Sequence, residues 1–154
     1  MSTRHILLAI AVVVFAGAHG QGDTGGEKSD SKVKATISAT KLTASGKQTV
    51  TVTLEIEKGW YIYANPVNDE DYEINRTRLS FKAKDKVTAL VNYPTGKMKS
   101  GAKYFIYEGK VVIESELKRT PGDTGPVEVS IAVNSCGGPK MECLLPGVIK
   151  ITVP

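Results

Sequence analysis

Cys136 and Cys143 are the only cysteines in the 154-residue chain, and six residues, Gly-Gly-Pro-Lys-Met-Glu, lie between them. Two thiols at that spacing can close a hairpin as a structural bridge, or they can exchange with other thiols through a mixed disulfide. Closing so short a loop removes only about 2.5 kcal/mol of unfolded-chain entropy, which is modest for a staple. A bridge at a sheet end is also accessible to an attacking thiolate. On the cysteines alone both readings stay open. Met141 would add a soft thioether for copper(I), but two cysteines and one methionine without histidine form a sparse ligand set, so no metal and no cofactor is expected.

Other chemistries are removed by what the chain lacks. Arg4, the apolar run Ile6 to Phe15 and the small residues Ala16-Gly17-Ala18 read as a secretory signal peptide over residues 1–20. The run is about ten residues against the ~20 that a spanning helix needs, so no membrane span is expected after cleavage. The only two histidines, His5 and His19, fall within the signal. Histidine-dependent hydrolases and cysteine-histidine zinc sites are thereby excluded from the mature chain. Losing Arg4 lowers the formal net charge of +4 by one, and this mild basicity gives no phosphate-tracking stripe, so nucleic acid is not an expected partner. Export makes a periplasmic or secreted location the expectation, and an even cysteine count there usually means a disulfide.

The elements that must position the cysteines are strands. Residues 21–32, rich in Gly, Ser and charge, read as a flexible linker, and the fold is expected over 33–154. From Val33 apolar residues alternate with polar ones at Val33 to Ala39, Val50 to Ile56, Val127 to Val133 and Ile149 to Val153. Trp60 to Ala64, Leu79 to Ala83 and Val111 to Leu117 are shorter or less regular candidates. Turn signals such as Lys58-Gly59, Asn65-Pro66, Pro121-Gly122-Asp123 and Gly137-Gly138-Pro139 separate them. Seven to nine short strands predict one all-β domain, an immunoglobulin-like antiparallel β-sandwich. In this scheme Cys136 ends the strand that begins at Val127, Cys143 precedes the last strand, and the two form a hairpin disulfide. Antibody-type domains instead join opposite sheets across many tens of residues.

Several segments, in order, resemble the family of N-terminal periplasmic domains of the thiol:disulfide interchange protein DsbD. They are Gly59-Trp60-Tyr61-Ile62-Tyr63-Ala64-Asn65-Pro66, then Val91-Asn92-Tyr93-Pro94-Thr95-Gly96-Lys97 with Tyr107-Glu108-Gly109-Lys110-Val111, and finally Val133-Asn134-Ser135-Cys136 with Cys143-Leu144-Leu145-Pro146. The resemblance implies a sandwich carrying a redox-active hairpin. It implies that Cys143 exchanges with partner disulfides, that Cys136 resolves the intermediate, and that Tyr61 and Tyr63 pack near the pair. Without it, these tyrosines read equally well as ordinary core or sheet-surface aromatics. The implied partners are thioredoxin-like redox domains supplied by a membrane electron transporter, which a chain ending at Pro154 would meet as a separate protein. A monomer is expected.

Two segments depart from the family pattern. Lys97-Met98-Lys99-Ser100-Gly101 stands where better-known members carry an acidic pair and an aromatic cap, so a less shielded pair is expected. Leu145 replaces the first proline of the C-x-P-P motif. Lys82, Lys84 and Lys86, with Lys97, Lys99 and Lys103, could line a partner surface or simply solvate it. The acidic stretch Asn68 to Glu73 lacks EF-hand spacing and reads as a solvated turn. The competing reading of the whole chain is a non-catalytic immunoglobulin-like binding module with a structural hairpin disulfide.

Overall fold

A computed structural model of the protein describes residues 26–153. The expected signal peptide and residues 21–25 of the expected linker lie outside them. The strands are β1 (Val33–Ala39), β2 (Lys47–Ile56), β3 (Trp60–Tyr63), β4 (Arg78–Lys82), β5 (Val87–Asn92), β6 (Lys97–Met98), β7 (Phe105–Tyr107), β8 (Lys110–Arg119), β9 (Val127–Val133), β10 (Ser135–Gly137), β11 (Glu142–Cys143) and β12 (Gly147–Val153). Every pairing between them is antiparallel.

Alternation along the chain translates directly into two faces. β8 buries every second residue from Val111 to Arg119 and exposes the others, and β2 and β9 alternate buried residues with mostly half-buried ones. The order β1-β2-β8-β5 makes one sheet, and β12-β9-β4 and β11-β10-β3-β7-β6 make the opposing layer. Val50, Val52, Leu54 and Ile113 from the first sheet meet Ile62, Val127, Val129 and Ile131 from the other strands in one core. Each fully buried Leu or Ile there contributes roughly 1.5 to 3 kcal/mol. The result is the expected immunoglobulin-like β-sandwich.

The strands beyond the expected set are short or lie at a sheet edge. β5 was not legible because Thr88, Ala89 and Leu90 all face solvent along its middle. β6, β7, β10 and β11 span two or three residues each, too few for any period to register.

The linker expected to run to Lys32 ends earlier. Lys28 bridges to Leu145, Ser29–Lys32 forms a 3₁₀ turn, and Ser29 is fully buried. A serine and polar neighbours lack an apolar period, yet their hydrogen-bonding groups satisfy backbone that would otherwise be buried unpaired.

At the far end of β8, Arg119 and Asp123 form a buried ion pair at 3.1 Å. The Gly125 amide donates to the Asp123 carboxylate at 3.1 Å, and this bond, followed by Arg119, holds the carboxyl below its ordinary range. A depressed folded-state pKa gives stability that is present above the unfolded value and lost as pH falls through the folded one. Asp123→Asn should therefore flatten the acid limb: the drop in urea midpoint between pH 6 and pH 3 is expected to be smaller than in wild type. An unchanged drop would mean that this carboxylate does not carry acid sensitivity.

Candidate functional site

The cysteine pair sits where three short strands meet. Cys136 on β10 lies opposite Cys143 of β11 on one side and opposite Tyr61 of β3 on the other. The sulfurs are bonded, with Cα atoms 4.0 Å apart. The expected hairpin is present, but its arms leave the sheet of β9 and β12 and enter the sheet of β3, so the disulfide is stitched to a strand far away in sequence. Gly137 makes this approach possible. Its φ is +138°, and a Cβ there would run into the Gly59 carbonyl and lie 3.0 Å from the Trp60 Cα.

The two sulfur-bearing residues differ sharply in exposure. Cys136 is 2% exposed, whereas Cys143 lies on an exposed two-residue strand. Of the two bonded residues, Cys143 is the one open to solvent. Met141, in the intervening turn, is also exposed.

Beneath Cys136 lies a second cluster, separate from the sandwich core. Alternation on β3 sends Trp60 and Ile62 into the sandwich, and sends Tyr61 and Tyr63 to the opposite face with Val67, Ile106 and Cys136. Both tyrosines therefore stand beside the pair. The Tyr63 hydroxyl lies 3.6 Å from Cys136 Sγ, and because a disulfide sulfur carries no hydrogen, the phenol is the donor. Burial pushes its pKa up to about 12, so the phenol keeps that proton throughout the neutral range. Burial, reinforced by the Tyr104 hydroxyl at 3.2 Å, also raises Tyr61.

Two further tyrosines, which sequence reasoning missed, complete the cluster. Tyr72 stacks on Tyr63 with ring centres 5.4 Å apart, and Tyr104 packs against Tyr72 at 4.4 Å. Tyr104 stands two residues before Ile106, an alternation that could have indicated it. Tyr72 gave no such sign, because it comes from the acidic stretch. That stretch forms a 3₁₀ turn, Glu70–Asn75, capped by the Asp69 carboxylate, which accepts from the Asp71 amide. Among the described residues no three acidic, cysteine or histidine side chains converge to hold a metal ion.

The segment that departs from the family pattern places a lysine over one of the tyrosines. Lys97 pairs with Glu108, and the Lys99 ammonium lies 4.5 Å from the centre of the Tyr61 ring. Lys97 and Lys99 also flank a groove of about 900 Å³ whose walls include Trp60, Tyr61, Gly137 and Met141. Lys82, Lys84, Lys86 and Lys103 are not among its lining residues.

Comparisons with known proteins give the family and the fold. Residues 31–153 match the family described as "Thiol:disulfide interchange protein DsbD, N-terminal". Among solved structures, the N-terminal periplasmic domain of ScsB from Proteus mirabilis is similar in fold, with a TM-score of 0.56 and 16% identity over 83% of this chain. The match spans 50% of that protein's chain. The DsbD N-terminal domain of Neisseria meningitidis in its reduced form gives a TM-score of 0.49 and 12% identity, over 76% of this chain and 82% of that one. No curated protein matches by sequence. The sandwich, the hairpin disulfide and the match over 31–153 together show that the chain belongs to the family of DsbD N-terminal domains.

Proposed function

We propose that this protein is an exported thiol-disulfide exchange domain, working in the periplasm or outside the cell, in which Cys143 meets the partner and Cys136 resolves. The observation that carries the reading is the unequal exposure of the two bonded cysteines. In the reduced protein, the Cys143 thiolate attacks an oxidised partner's disulfide, and one partner sulfur leaves as a thiolate. The Cys136 thiolate then attacks Cys143 Sγ, the internal bridge forms, and the second partner sulfur leaves. Two electrons have passed to the partner. The pair is reloaded when a donor thiolate attacks Cys143 Sγ and Cys136 departs as thiolate. A hydrogen bond from Tyr63 stabilises that buried leaving group. The donor's second thiolate then attacks the donor sulfur of this mixed disulfide, Cys143 departs as thiolate and the donor is left as a disulfide.

The donor in this scheme is a thioredoxin-like domain served by a membrane electron transporter, and the acceptors are oxidised exported proteins. The groove beside the hairpin gives room for the chain flanking the partner's cysteine. Equilibration in glutathione buffers tests the assignment. A reduction potential in the exchanging range, roughly −180 to −270 mV, with exchange complete in minutes is expected. A value below about −300 mV with slow exchange would favour the competing binding module, whose bridge is only structural.

A further inference from the structure

The two cysteine arms do not pair continuously with the strands that carry them. Val133 pairs with Gly147 and Cys136 with Cys143, so three steps along one arm oppose four along the other. The extra residue makes a bulge, which leaves ladder groups without a partner across the gap. The last direct bond between the arms is donated by the Leu144 amide to the Ser135 carbonyl at 2.9 Å. Beyond it, the side chain of Ser29 enters the gap from the amino-terminal segment. Its hydroxyl accepts from the Ser135 amide at 2.8 Å and donates to the Leu145 carbonyl at 2.8 Å. The Ser29 amide reaches that same carbonyl, the Ser135 hydroxyl donates to the Ser29 carbonyl at 3.0 Å, and the Leu145 amide donates to the Glu27 carbonyl. Ser29 and Ser135 are both fully buried.

One hydroxyl thus replaces a missing rung of the ladder, one residue before Cys136 and two after Cys143. Its single proton and an acceptor lone pair are both used, and no apolar side chain can supply either. None of these bonds involves sulfur, so opening the disulfide does not itself remove any of their donors or acceptors. We propose that Ser29 is a positioning residue for thiol-disulfide exchange, bracing the two cysteine arms so that Cys136 stays within reach of Cys143 while the bridge is open. The physiological use of the brace rests on the exchange reading above. Its effect on the pair is a property of the disulfide itself.

An intramolecular thiol competes with glutathione through its effective concentration, which falls when the two arms are free to separate. In the resolving step the Cys136 thiolate displaces the partner's sulfur from Cys143, and no outside oxidant is needed. The test is the equilibrium constant of the purified protein with reduced and oxidised glutathione, measured for wild type, Ser29→Ala and Ser29→Thr. Ser29→Ala should weaken the bridge on the order of five- to tenfold, with a tenfold change equal to about 30 mV, and should slow closure of the Cys143–glutathione adduct. Ser29→Thr, which keeps the hydroxyl, should restore both. An unchanged constant in a Ser29→Ala protein that merely melts earlier would overturn the proposal, leaving Ser29 a structural contact only. If Ser29→Ala does not fold, amide exchange in reduced wild type decides: the Ser135 amide should remain protected without the disulfide, and loss of its protection would overturn the brace. A shift in the glutathione constant is expected even if no exchange partner exists, so failure of the brace and failure of the exchange reading give different results.

Discussion

Cys136→Ser should accumulate mixed disulfides through Cys143, and Cys143→Ser should yield roughly tenfold fewer, when each variant is exposed to oxidised thioredoxin-like proteins and the adducts are resolved on non-reducing gels. The expectation rests on access and on resolution. Position 143 is exposed, whereas a thiol left at 136 is buried against Tyr61 and Tyr63. With serine at 136, an adduct on Cys143 has no internal sulfur to release it. With serine at 143, the buried thiol must first be uncovered, which requires the hairpin to lift from β3. Adducts that form mainly on Cys136 would exchange the two roles. Adducts from neither variant would leave the disulfide as a staple.

Gly137→Ala should cost at least about 2 kcal/mol of stability and loosen the disulfide from its support. The residue combines a φ of +138° with contact to the backbone of Gly59 and Trp60, so a methyl group has neither a permitted conformation nor space. Neither obstacle is the mobile end of a side chain that could swing away. Relief requires β10 to move off β3, which breaks the register that sets Cys136 against Tyr61. Reduction by dithiothreitol should become faster as the buried sulfur is uncovered. Gly122→Ala is the comparison, because Gly122 also has a positive φ, +86°, but has nothing within 4 Å of an added Cβ. Its cost should be the smaller, near 1 kcal/mol, and it should leave the reduction rate unchanged. Equal effects at the two positions would show that backbone conformation alone, rather than contact with β3, governs Gly137.

The alternation in β2, β8 and β9 was enough to place Val52, Ile113 and Val129 in one core, because a strand buried on one face must repeat every second residue. The spacing of Cys136 and Cys143 likewise specified a local bridge, since six intervening residues and two glycines can turn the chain back. Resemblance added Tyr61 and Tyr63, both of which lie against Cys136. What sequence could not supply depends on neighbours distant along the chain. Tyr72 reaches the cluster from an acidic turn, and Ser29 enters the cysteine hairpin from a stretch whose composition reads as linker. Local patterning reports which face of an element is buried, but not which element will cover it. Only the tertiary structure decided that Cys136 is covered and Cys143 is not, because that difference is made by packing β10 onto β3 and leaving β11 at the sheet edge.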